Sequence, residues 1–547
     1  VEKAAGDGFA PFRLCRYDDV PMCVSSYSKG GTLTGDLIDV GPGTSAKDYE
    51  GKDVKGKVVL ASGYAGAVVR EAAVHRGAAG AVIYPGANDR PDHPDMVRYN
   101  GVWPLASELS STAASFQISA NQYARLRALM AKGPVVVRGT VDATLGPGKL
   151  TLVHAWIRGT EEPEREVVVS AHLDHPKWSA NDNASGSAAI LEMARALKAL
   201  VDRRAIPPPR RTIHFLWVPE YFGTLAWVSK HPEVRRCASR STGACVLANL
   251  NLDMVGEDTV KTASRFYLTK APASVPSFLD ALLADVLDET REAALYAPTG
   301  TRNFWPAAPM PYAQGSDHDV FLGLGIPATM LGHDPDWTHH TSEDTVDKTD
   351  ASELLRVGVL ASAAAWWMAA AGPDDWGRLA PRVVAARLAD DAGRLAVASG
   401  PAREELARRV SDGAAVLASP SLPRRVARPE ELTAAPELLT RGPQGTGPRR
   451  LTLLPIASSA LADLTGDDRT WWQTQAARFT AEDSSTGLAS GMTWDILEFE
   501  AANLMDGRRT PAEIASLLEA GLGVEVDAAF VSQLAKILAA RKLVALP

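Results

Sequence analysis

Cysteine is scarce in this chain, with four residues among 547. No C-x-x-C occurs and none of the four neighbours a metal-type cluster, which leaves them two roles. Cys15 with Cys23 and Cys237 with Cys245 form two close pairs, suited equally to short-loop disulfides or to buried thiols. Positive charge is not in excess either. Lys and Arg total 57 against 65 Asp and Glu, a net charge of -8, which argues against nucleic acid as the main partner. Long hydrophobic runs are missing as well. The longest, Val357 to Ala371, is interrupted by Gly358 and Ser362 and ends at Gly372. A bilayer span needs about 20 apolar residues, so this stretch reads as a buried core helix, and no membrane partner is expected. The sequence begins at Val1 without the charged and apolar segments of a signal peptide, which reads as a processed or truncated start. The compartment, cytoplasmic or secreted, stays open.

What is present is an ordinary globular balance, 46% apolar and 22% charged residues. The length exceeds one hydrophobic core and implies two to four domains. Residues 31–147 read as a small β-rich unit. "VKGKVVLA" (Val54 to Ala61) is a strand entered from a Gly turn. "REAAVHRGAAGAVIY" (Arg70 to Tyr84) gives a short helix, a turn and a buried strand, and "GPVVVRGTV" (Gly133 to Val141) a further strand. On "KGKVVLA" and "GAAGAVIY" this unit resembles the protease-associated domain, an inserted module of several exopeptidase families.

Over 148–372 strands and helices alternate: "EVVVSAHLDH", "GSAAILEMARALKAL", "RTIHFLWVPE" and "VLANLNLDMVG". That order predicts an α/β fold, a mixed central sheet with helices on both faces and polar clusters at strand ends. Residues 373–450 are rich in Ala, Arg and Pro and helical in part, with a linker-like "RGPQGTGPRR" at Arg441 to Arg450. Within 451–547, two helices follow Trp494, the second capped by Thr510, Pro511 and Glu513. A third helix and a final strand complete a winged-helix-like order. DNA binding is the functional corollary of that order. Eight acidic residues, Asp495 and Glu498 among them, counterbalance Arg508, Arg509, Arg541 and Lys542. Packing, or docking of a protein partner or a second copy, is expected there instead.

Five clusters carry chemistry. In "SAHLDHPKWSANDNASG", His172 and Asp174 flank Leu173 at a strand end, so both side chains point the same way. That suits a metal-ligating imidazole and a carboxylate orienting it through the other ring nitrogen. Asp182, ten residues on, sits in a turn before a helix, where a carboxylate can bridge two cations. In "FLWVPEYFGT", Glu220 ends an apolar strand, and partial desolvation there raises its proton affinity as a general base requires. In "NLNLDMVG", Asp253 follows a strand, with Asn251 pointing the same way. "DWTHHTSEDTVDK" offers His339 and His340 before a cap-like Thr-x-x-Asp, and "GSDHDVFLGLGIPATM" adds Asp317 and His318. Imidazoles and carboxylates at several strand ends fit zinc better than magnesium or calcium. His175 reads as a neighbour of the site rather than a ligand.

In this order and spacing the clusters resemble the co-catalytic zinc exopeptidase family that includes bacterial leucyl aminopeptidases, glutamate carboxypeptidase and the transferrin receptor. The resemblance covers about Lys149 to Gly372, and residues 1–30 are expected to pack on that domain. It implies that His172 and Asp253 bind one metal, Asp182 bridges, His340 binds the second metal, Glu220 is the base and Asp174 orients His172. Two departures stand out. The family usually has two adjacent glutamates, the second a ligand, where this chain has Glu220-Tyr221. A phenol with an ordinary pKa of ~10 is a poor ligand, so one tight zinc and a weak or absent second are expected. His339 stands where many members have a Tyr, and it could donate the same hydrogen bond to a tetrahedral intermediate. The implied reaction is aminopeptidase hydrolysis of a peptide substrate, with water activated by zinc and deprotonated by Glu220. Two rivals remain: a non-catalytic receptor-like binding protein, favoured by Tyr221, and a glutaminyl cyclase, disfavoured because the missing Glu is a ligand in that branch.

Overall fold

The apolar strands read from the sequence pair into two large sheets, each the nucleus of its own unit. The computed structural model describes residues 1–4, 9–86, 90–237, 243–419, 421–433, 446–452, 464–486 and 492–547. The first unit comprises Val1–Leu150 with Asp174–Ala184 and Asp336–Thr349; the second comprises Thr151–Leu173, Ser185–Pro335 and Asp350–Pro547.

In the first unit six strands run in the order Lys3–Ala4, Val135–Val141, Gly31–Gly41, Val58–Ala61, Gly80–Ile83, Ala114–Gln117. The pairings from Gly31–Gly41 onward to Ala114–Gln117 are parallel, and the others antiparallel. Val58, Val59, Leu60 and Ala61 are wholly buried, as expected of a strand covered on both faces. Within this unit, residues 1–30 are tied to the sheet. Lys3–Ala4 pairs with Val135 and Val136, and Ser28 and Ser115 exchange hydrogen bonds. The edge of Val135–Val141 offers unpaired backbone groups that a short extended segment satisfies.

In the second unit seven strands form a mixed sheet in the order Ala307–Met310, Arg265–Thr269, Ala328–Asp334, Cys245–Leu252, Glu162–His172, Arg211–Val218, Val153–Ile157. Alternate residues of one strand enter different cores, which shows that both faces are covered. Val167 and Val169 pack with Ile190, Leu360 and Ala364 of helices Gly186–Asp202 and Ala351–Ala370. Val168 packs instead with Trp227, Phe321 and Phe499. The α/β fold with helices on both faces is therefore present, and the apolar run at 357–371 lies in a core helix. Among the described residues no helix is long and apolar enough to cross a membrane. Cys237 and Cys245 form a disulfide, whereas Cys15 and Cys23 are thiols.

The same unit contains helices Gly466–Thr486, Met492–Leu504, Pro511–Leu522 and Ala528–Ala540, with Val544–Ala545 paired antiparallel to Arg449–Arg450. The linker read at 441–450 lies outside the described residues as far as 445. Thr510 accepts a hydrogen bond from the Glu513 amide, closing the capping box read from the sequence. Helix Met492–Leu504 buries Glu498, whose Oε1 accepts from the Trp472 indole at 2.8 Å. Burial pushes this carboxyl up from 4.5 to about 8. The folded state then holds the proton more tightly than the unfolded chain, so stability falls as pH rises from about 4.5 through about 8. Glu498→Gln is expected to melt close to wild type at pH 5 and several degrees above it at pH 9. Melting curves that stay parallel across that range would exclude a titrating Glu498.

Candidate metal centre

The first unit gathers side chains from three separated stretches. Asp182, buried in the turn before helix Gly186–Asp202, places Oδ2 3.2 Å from His175 Nε2 and 3.2 Å from His340 Nε2. His339 Nε2 lies 3.5 Å from the same oxygen. The ligand atoms of His175, Asp182 and His340 all lie within 4.8 Å of one another. Separations of 3.2 Å match the ~3.3 Å edge of a tetrahedron whose metal–ligand bonds are ~2.0 Å. Two imidazole nitrogens and a carboxylate oxygen are a donor set for zinc, so the residues present fit that ion.

The backbone around Asp182 is held from below. The Asp344 carboxylate accepts from the amides of Asn181 (2.7 Å) and Asp182 (2.9 Å). Burial pushes Asp344 up to about 7, against the lowering effect of those two amides. His340 has a left-handed backbone, φ +57°, and its carbonyl accepts from the Tyr99 amide at 2.6 Å. The Tyr99 ring meets His340 edge-on at 5.0 Å and His175 at 5.1 Å, and the two imidazoles stack at 4.9 Å. Asp174, in this unit, is exposed.

In the second unit the strand ends carry their own polar chain. His172, at the end of Glu162–His172, lies with Nε2 3.2 Å from Asp253 Oδ1. Asp253 Oδ2 accepts from Ser316 Oγ at 2.6 Å, and Asn251 donates to that Oγ at 2.8 Å. Asn251 and Asp253 thus share a face, as their spacing of two implies. Glu220 is half-buried in the turn after Arg211–Val218. The residue after it is fixed twice by the loop that supplies Ser316. Asp317 accepts from the Tyr221 amide (2.8 Å) and from Thr224 Oγ1 (2.6 Å). Asp319 accepts from the Tyr221 hydroxyl (2.6 Å), the Tyr312 hydroxyl (2.7 Å) and the Gly315 amide (2.9 Å). Burial first, then the Asp319 charge, raises the Tyr221 phenol well above its ordinary value, so it acts as a donor. Burial also pushes Asp317 up to about 7. His318 is buried with Nε2 3.0 Å from the Ala313 carbonyl.

The structure therefore brings His172 together with Asp253, and Asp182 together with His340 and His339. The sequence reading placed two residues in minor roles and missed a third. His175 lies three places after His172 in "HLDH", a spacing that could have drawn attention to it. Asp344 reads as a local cap, but its carboxylate serves the Asn181 and Asp182 amides. Tyr99 carries no local signal, being far from His175 and His340 in sequence. His175 lies in one group with Asp182 and His340, the two residues expected at a second metal.

Residues 152–365 match the profile of Peptidase family M28. The chain is similar to a glutamate carboxypeptidase 2 homolog of Caenorhabditis briggsae, 25% identical over 45% of this chain and 41% of that protein. It is also similar to Aminopeptidase YwaD of Bacillus subtilis, 30% identical over 37% of this chain and 40% of the relative. The matched stretches thus span well under two thirds of these relatives. A solved structure described as a zinc aminopeptidase from Bacillus subtilis aligns with a TM-score of 0.45 at 21% identity, covering 64% of this chain and 78% of its own.

Proposed function

We propose that the chain is a zinc-dependent exopeptidase that removes N-terminal residues from peptides. The observation that carries this reading is the convergence of His175, His339 and His340 on one buried oxygen of Asp182, inside the segment that matches the M28 profile. Following the order of the motifs, His172 and Asp253 would hold one zinc, and Asp182 with His340 would hold another. Zinc held there would supply Lewis acidity and make a water easier to deprotonate. Glu220 is the base that takes a proton from the attacking water and passes it to the leaving amine. Asp174 fixes the ring of His172, and His339 donates to the oxygen that gains charge at the scissile carbonyl. Acidic groups near the metals suit a free substrate amine, and Arg302 is the single nearby cation read from the sequence as a candidate for a C-terminal carboxylate.

The test is zinc per chain together with hydrolysis of one peptide in three forms: unblocked, N-acetylated and C-terminally amidated. Release from the unblocked and amidated forms only, lost on chelation and restored by zinc, is the expected result. Release from the acetylated form but not the amidated one would make the chain a carboxypeptidase. A second reading, a non-catalytic binding protein on the same fold, is favoured by Tyr221 standing after Glu220. Bound zinc without turnover of any form would select it.

A further inference from the structure

We propose that His175 is a metal ligand, which with Asp182 and His340 completes a second three-residue zinc site. The identity of the ion rests on the zinc exopeptidase reading; the assignment of the ligand rests on the geometry of the first unit.

Three features of His175 support it. Its Nε2 faces Asp182 Oδ2 at the same 3.2 Å as His340 Nε2 does. Its Nδ1 lies 3.3 Å from the Pro176 carbonyl oxygen; the tautomer in which Nδ1–H donates to that oxygen directs the Nε2 lone pair at Asp182. A metal-ligating imidazole is ordinarily set up in this way, with its second nitrogen donating to an oxygen. Finally, its side chain is only 8% exposed while that of His340 is 41% exposed. One wall of the group is therefore fixed and the other open, the pattern of a site with three protein ligands and room for a fourth.

The rings are packed as a group. His175 and His340 stack at 4.9 Å with planes 24° apart, and His339 lies 3.8 Å from His340. One divalent ion placed between Nε2 of His175, Nε2 of His340 and the Asp182 carboxylate would be within reach of all three. The residue after Glu220 does not compete for this role, since the Tyr221 hydroxyl is spent as a donor to Asp319 within the second unit.

The experiment is a zinc count and a competitive zinc titration on the full chain, for wild type, His175→Ala, His175→Glu and Tyr221→Phe. Wild type is expected to hold two zinc ions. His175→Ala should keep one and lose affinity for the other by about 100-fold or more, and His175→Glu should regain the second ion. Tyr221→Phe should keep both. Melting of the metal-free proteins serves as the folding control; should His175→Ala fail to fold, His175→Glu against wild type decides on the second affinity alone. Two ions at wild-type affinity in His175→Ala would overturn the proposal, as would a wild type that binds one ion or none. Because the readout is metal content, two zinc ions without peptide turnover would overturn the exopeptidase reading and leave His175 as a ligand.

Discussion

Glu220→Gln is expected to lower kcat by about 10³-fold while zinc content and melting temperature stay at wild-type values. General-base catalysis contributes roughly 10²–10⁴-fold, and an amide of the same shape cannot accept the proton. The local fold should survive, because Glu220 sits in a turn whose neighbour is fixed independently. The Tyr221 amide is held by Asp317 and its hydroxyl by Asp319, and neither bond involves the Glu220 side chain. The change is thus confined to proton transfer, and KM should move by less than about threefold. Steady-state kinetics beside metal analysis decide the matter. A Gln variant within tenfold of wild type would remove Glu220 from the role of base, and one that loses zinc would make it a determinant of metal binding.

How much of this was legible in the sequence depends on how local the cause is. The strands of the second sheet follow from apolar runs ending in polar residues, so the placement of His172 and Asp253 at strand ends could be read directly, whereas the pairing of those strands could not. The capping box at Thr510 and Glu513 is equally local, spanning one turn. The helix at 357–371 follows from composition alone. Tyr221 shows the limit: the sequence marks it as a poor ligand, but only tertiary structure gives its occupation, a buried bond to Asp319 that Tyr312 shares. Tyr99 reaches His340 through a backbone amide, an interaction indifferent to residue type and so invisible in any motif. The pairing of Lys3–Ala4 with Val135–Val136 is invisible for the same reason. His175 is the intermediate case, adjacent to the motif but outside its usual pattern.

Trp494→Ala is expected to destabilise the C-terminal helices by about 3–5 kcal/mol, the cost of emptying a large buried aromatic site. Trp494 is 2% exposed and meets Phe479 at 5.9 Å, Trp472 at 5.8 Å and Phe530 at 6.2 Å, so three helices lose contacts together. The other residues of helix Met492–Leu504 tie this loss to the sheet. Phe499 packs on Tyr312 at 5.4 Å, and Glu500 accepts from the amides of Ala273 and Ser274 at 2.7 Å each. Tyr312 in turn donates to Asp319, which holds the Tyr221 hydroxyl beside Glu220. Loosening the helix should therefore raise amide exchange first in 492–504 and then in 312–319 and 220–224, in the order in which the contacts connect. Exchange that rises in 492–504 alone would mean that the Asp319 cluster stands without its aromatic support. A melting temperature within a degree of wild type would mean that the aromatic cluster repacks around the missing indole.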